Sequence, residues 1–295
     1  MVAAFAIGLG SLYWYQGHYP SQARELMACL PSDESTHVWI DVDGLRRAGI
    51  LDLVGGSKIA QEAEYTQFVE QSGFDFRRDL RSIAAAFAPA GTYYAIRGQF
   101  DWAKLTAYAT SHGGTCQDRS CSLQGSTPER MISFRPLNSG LMALAVSKDA
   151  SAVSRIALRR PASGGTQPGQ PIWVDVPSSI LRDANGLPAG TKSFATILSN
   201  AQKIEFSAGP RDKRLELVVA VTCANAAEAA ALTSDLSKTT DLLRKMMERD
   251  GQKPSPRDLS GILVAGTFRN EDRRVFGSWP VERAFVESLA GGDAR

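Results

Sequence analysis

The sequence predicts an α+β fold: an N-terminal membrane anchor helix followed by two similar halves, each a mostly antiparallel sheet covered by helices. Three observations predict it. The chain opens on an uncharged apolar run, the pattern Trp-apolar-Asp-Val occurs at Trp39 and again at Trp173, and after each occurrence β-type runs alternate with helical ones. The organisation that follows is a transmembrane anchor over 1–20, a first half over 21–162, a linker over 163–171 and a second half over 172–295.

Val2 to Gly10 carries no charge, and the first charged side chain is Arg24. A crossing helix needs about 20 apolar residues, and this run only just reaches the lower limit of that range. Tyr13, Trp14 and Tyr15 close it as an interfacial aromatic belt at headgroup level. A cleavable signal peptide is the rival reading, but there is no basic n-region and no prompt small-x-small site. Leu26-Met27-Ala28-Cys29 spells a lipoprotein box, yet Gln22 to Glu25 separates it from the apolar run, so lipidation at Cys29 is rejected.

The elements follow in order. Residues 21–30 form a short helix, and Thr36 to Asp43 a strand of strong β-formers ended by Gly44. An amphipathic helix over 57–72, N-capped by Ser57, closes at Gly73. Ile83 to Phe87 and Thr92 to Arg97 make a hairpin across Pro89-Ala90-Gly91. Asp101 caps a helix over 102–111, strands follow near 121–124, 130–135 and 141–146, and a helix runs from Asp149 to Leu158. After the Gly- and Pro-rich linker the pattern restarts. Trp173-Val-Asp-Val and Ile180-Leu181-Arg182 echo Trp39-Ile-Asp-Val and Leu45-Arg46. Ile204 to Ala208 and Leu215 to Thr222 pair across Gly209-Pro210-Arg211-Asp212. Asn225 caps a helix to about Arg249 with Leu232, Leu236, Leu243 and Met247 on one stripe. Ile262 to Phe268 and Arg273 to Phe276 make the closing strand pair, and Pro280 starts the last helix. The spacing from Trp39 to Trp173 lies outside solenoid repeat lengths, so the pattern reads as a duplication of a domain-sized unit.

Composition bounds the function. With 43% hydrophobic and 22% charged residues the body is ordinary for a globular protein, and at net charge +2 its basic pairs are scattered among acids. That excludes a nucleic-acid stripe. Cys116 and Cys121, in a polar stretch between apolar segments, fit a disulfide-closed hairpin worth about 2 kcal/mol. Such a bond implies an oxidising compartment, in agreement with an anchor that leaves the body in the extracytoplasmic space. Cys29 and Cys223 either pair or stay as buried thiols.

Few constellations carry chemistry. Val38-Trp-Ile-Asp-Val-Asp-Gly resembles the first motif of haloacid-dehalogenase-like phosphatases, and that resemblance implies Asp41 as nucleophile and Asp43 as the second acid. It departs from the pattern at Leu45, where Thr is usual, and at the second copy, where Val176-Pro177 replaces the second acid. His18, His37 and His112 stand at no metal-ligand spacing, and no Gly-x-Ser-x-Gly elbow is present. Gly55-Gly56-Ser57-Lys58 opens a helix as an ordinary N-cap rather than a phosphate loop. No catalytic, cofactor-binding or metal-ligating residues are assigned.

The succession of anchor, Leu30-Pro31, Trp/Asp strand, Gly73-Phe74-Asp75 and closing hairpins resembles uncharacterised membrane-anchored envelope proteins of bacteria. The resemblance implies a periplasmic body and brings no catalytic residues. The expected function is therefore a non-enzymatic, membrane-anchored accessory or binding subunit whose partners are other subunits of a membrane assembly and the lipid bilayer, without cofactors. The alternatives are an envelope hydrolase using Asp41 and Asp43, and a small-ligand binder with its site between the halves.

Overall fold

The computed structural model describes residues 22–32, 35–51, 63–127, 129–161, 168–177, 196–198, 201–211 and 214–291. The expected anchor with Tyr13, Trp14 and Tyr15, the 55–58 segment, most of the linker (163–167), the Ile180 to Arg182 echo and the 212–213 turn tip lie outside them. Among the described residues no helix is long and apolar enough to cross a membrane. The chain is a mixed α+β protein built on antiparallel sheet, grouped into two compact units: Met1–Gly44 with Glu62–Ile172, and Leu45–Gln61 with Trp173–Arg295.

Unit 1 begins with a helix, α1 (22–28), then β1 (Thr36–Asp41), after which α2 (Val42–Arg47) starts. Gly44 lies inside α2 rather than ending the strand. Next come α3 (Ala63–Ser72), α4 (Phe76–Asp79), β2 (Leu80–Ala88), β3 (Gly91–Gly98) and α5 (Trp102–Ser111). The strands β4 (Thr115–Gln117), β5 (Ser120–Gln124), β6 (Met131–Asn138) and β7 (Leu141–Ser147) complete a sheet ordered β1-β2-β3-β7-β6-β5-β4. Asp101 caps α5 as expected, its carboxylate accepting from the Lys104 N–H. The helix expected from Asp149 to Leu158 is only a 3-10 turn, Ala152–Arg155. Beyond that turn the backbone is taken by tertiary bonds instead: Arg135 donates to the Ile156 carbonyl, and the Ala157 N–H to the Cys29 carbonyl.

Strand alternation gives this sheet two different faces. On one face lie small side chains, Ala84, Ala86, Ala95, Ala143 and Ala145, all fully buried. Helix α1 is tied to that face by the Glu25–Arg97 ion pair at 3.3 Å, and its Ala23 and Leu26 are fully buried. The opposite face carries large apolar side chains under α3 and α5.

Unit 2 comprises β8 (Ile172–Val176), β9 (Lys203–Arg211), β10 (Arg214–Thr222), α6 (Ala226–Arg249), α7 (Leu259–Ala265), β11 (Thr267–Glu271), β12 (Arg274–Val281) and α8 (Arg283–Gly291), with sheet order β11-β12-β10-β9-β8. Asn225 caps α6 by accepting from the Glu228 N–H, and Leu232, Leu236 and Leu243 pack on Ile204, Val219, Val221, Val275 and Trp279. Two expectations fail here. Ile262 to Ala265 is helical, because the Asp258 carboxylate caps α7 through the Ser260 N–H. Pro280 sits in β12 opposite Glu216, beyond the last residue that β11 pairs. Its missing N–H there leaves no ladder bond unmade, and the last helix starts at Arg283.

Candidate functional site: an apolar cavity in unit 1

Between the large-residue face of the unit 1 sheet and its two helices lies a cavity of about 350 Å³. Its floor is Ile83 of β2, Ile96 of β3, Ile132 and Phe134 of β6, and Met142 and Leu144 of β7, with Leu123 of β5 at one side. The register puts these residues on one face: Ile83 pairs with Ile96, Ile96 with Met142, and Leu144 with Phe134. The roof comes from Phe68 of α3, Leu105 and Tyr108 of α5, and Phe74 and Phe100 from the flanking loops.

The roof is a string of rings. Tyr108 meets Phe68 edge-on at 5.1 Å, Phe68 meets Phe74 at 6.5 Å, Phe74 stacks on Phe100 at 5.3 Å, and Phe100 lies 5.1 Å from Trp102. Each such pair adds about 0.5–1.5 kcal/mol beyond burial, so the rings brace one another. The Trp102 indole N–H fixes the end of the string by donating to the Ser139 carbonyl in the β6–β7 turn.

Gly73-Phe74-Asp75 is what turns Phe74 into this roof. Gly73 ends α3 at φ +71, in the left-handed region where a side chain is strained. Asp75 then caps α4 through the Arg77 N–H and accepts the Tyr65 hydroxyl at 2.8 Å. Its own N–H donates to Asp79, a buried carboxylate also held by Arg78 through two bonds of 2.8 Å. Burial, and then the Asp75 hydrogen bond, push the Tyr65 phenol up to about 12. The motif's place in the chain is thus structural: it closes a loop that aims an aromatic ring.

The acids singled out in the sequence stand elsewhere. Asp41 ends β1 across from Ser82, itself across from Arg97, so it faces away from the cavity, whose face is marked by Ile40 and Ile83. Asp41 is buried, and its N–H donates to the Pro171 carbonyl at 2.7 Å. Asp43 lies half-buried in the first turn of α2. The strand that ends at Asp41 is antiparallel to β2. In unit 2, Asp175 is engaged by Lys203 at 3.5 Å, and Lys203 by the buried Glu205.

Cys116 and Cys121 form a disulfide directly across the β4–β5 ladder. The two-residue turn between these strands has Asp118 and Arg119 both at positive φ, +50 and +65, as a type I′ hairpin requires. Cys29 and Cys223 are free and buried, and burial raises both thiols, so neither is poised as a nucleophile. Among the described residues no group of three or more His, Cys, Asp or Glu is placed to hold a metal ion.

The sequence reading missed every residue of the cavity. One signal was available: along β2 and β7 large and small apolar residues alternate, Ile83-Ala84 and Met142-Ala143-Leu144-Ala145, which marks one face for close helix packing and the other for bulk.

No family model matches the chain, and no curated protein matches it. Among solved structures it is similar to crystal form I of TP0453, with a TM-score of 0.46 and 11% identity over 90% of this chain and 97% of that one. Crystal form IV gives a TM-score of 0.45 at 10% identity over 90% and 95%, and form III gives 0.45 at 12% identity over 90% and 96%. Likeness at that level transfers no residue role to this chain.

Proposed function

We propose that this chain is a non-enzymatic, membrane-anchored extracytoplasmic binding protein that serves as an accessory subunit of a larger membrane assembly, with unit 1 as its binding module. The observation that carries the reading is the cavity. Among the described residues its lining is apolar or aromatic throughout, and the Tyr108 hydroxyl is the one polar side-chain group there. A wall of that chemistry recognises apolar matter and offers no acid, base or nucleophile to a reacting bond. The disulfide supports an oxidising location for the body, and the apolar leader Val2 to Tyr15 supports the anchor.

The two units read as copies of one ancestral domain. The orders β1-β2-β3-β7-β6 and β8-β9-β10-β12-β11, with α5 and α6 at the same point of the connection, support this reading, while β5 and β4 extend unit 1 alone. Asp41 and Asp175 take the same place at the end of the first strand of each copy, which supports a structural part for both acids.

Purification from native membranes in mild detergent tests the subunit role. The proposal expects the chain to elute with other membrane proteins at constant stoichiometry. Recovery only as a free monomer contradicts it.

A further inference from the structure

We infer that the unit 1 cavity takes a single unbranched alkyl chain, the hydrocarbon part of a fatty acid or of a lipid, an inference that rests on the binding reading above. The hollow is about 350 Å³ and apolar along its described lining, far more than the roughly 30 Å³ of a water molecule. The fold does not impose it. In unit 2 the sheet face under α6 holds Leu236 and Trp279, whose ring meets Phe268 edge-on at 5.3 Å, and the hollow beside α6 is lined in part by polar and charged side chains such as Gln202, Glu228 and Asp235. In unit 1 the corresponding helix, α5, is ten residues against the twenty-four of α6, and the mutually stacked Phe74 and Phe100 prop the roof instead of filling the space.

Apolar walls offer water no hydrogen-bond partners, so the favourable occupant of this hollow is hydrocarbon. At about 30 Å³ per carbon group, comparable to a water in the liquid, the volume suits a chain of roughly ten carbons. Floor residues such as Met142 and Leu144 adapt to a flexible chain. The described wall carries no charged side chain to recognise a headgroup, so the polar end is placed outside.

The test is calorimetric titration of the full chain, held in a bile-salt detergent whose ring system does not mimic an alkyl chain. The ligands are straight-chain alkanoic acids from about six to about sixteen carbons, with lysophosphatidylcholines of the same chain lengths as the second arm. Affinity is expected to rise up to about fourfold per added methylene and to level off near roughly ten carbons. A plateau with the acids alone assigns a free fatty acid. The same plateau in both arms assigns the acyl chain of a lipid. Ile132→Phe, which directs a ring into the cavity, is expected to move the plateau to shorter chains by about one carbon and to leave hydrogen exchange at the β6 amides unchanged or slower. Affinity that climbs through the longest chains without levelling reports surface partition and overturns the inference, as does the absence of saturable one-to-one binding. If Ile132→Phe fails to fold, the chain-length series on the native protein decides alone. This titration uses the isolated chain, so its failure leaves the subunit reading standing, and a failed co-purification leaves this result standing.

Discussion

Replacing Asp75 by Ala removes the acceptor that holds together the loop between α3 and α4. Two hydrogen bonds disappear, from the Tyr65 hydroxyl at 2.8 Å and from the Arg77 N–H at 2.9 Å. At about 1 kcal/mol each the loss is about 2 kcal/mol, and Phe74 loses the loop that seats it on Phe100. Because the chain has two units, a single unfolding transition is not assured. Hydrogen exchange at amides of α3 and α4 is the appropriate stability readout. A second readout is the Tyr65 phenol itself. Its folded value of about 12 stands above the ordinary ~10, so the native state keeps a proton that the unfolded chain releases. That contribution to stability is complete below pH ~10 and is lost as pH rises through the folded value. Asp75→Ala is expected to bring the Tyr65 titration back part of the way, since burial, the larger cause, remains. Absorbance at alkaline pH, with Tyr65→Phe as the reference, measures it. Unchanged exchange at α3 and α4 together with an unshifted Tyr65 titration would refute the reasoning.

Three further outcomes follow from particular contacts. Changing both Cys116 and Cys121 to Ala is expected to cost the β4–β5 hairpin about 2 kcal/mol, read as faster exchange at the Ser122 and Leu123 amides. Arg119→Gly relieves a side chain at φ +65 and is expected to stabilise the same hairpin by about 1 kcal/mol, read as slower exchange there. Gly277→Ala puts a Cβ 2.6 Å from Cη2 of Trp279 and is expected to destabilise unit 2 by about 1–3 kcal/mol, read by denaturant unfolding followed through tryptophan emission.

The local signals in the sequence were reliable where one residue decides the outcome. Asp101 and Asn225 mark their helices to the residue, and the Cys116–Cys121 hairpin was legible because polar turn residues separate two cysteines at short range. Elements decided by distant partners were not legible. Ile262 to Ala265 has strand composition, but the cap from Asp258 and packing beside α6 make it helical. Pro280 looks like a helix opener until β11 is seen to stop short of it. Asp149 to Leu158 has helical spacing, yet Arg135 and Cys29 take its backbone groups. The cavity was beyond reach for a related reason. Its lining reads residue by residue as ordinary core, and only the shortness of α5 and the stacking of Phe74 on Phe100 leave space inside it.

A binding body on the oxidising side of a membrane is tested most directly by the state of its four cysteines in living cells. Cells are quenched in acid, alkylated under denaturing conditions without reductant, and the peptides read by mass spectrometry. Cys29 and Cys223 are expected alkylated, Cys116 and Cys121 joined and unlabelled, and the protein in the membrane fraction. Labelling of all four cysteines, with the protein in the cytosol, would contradict it.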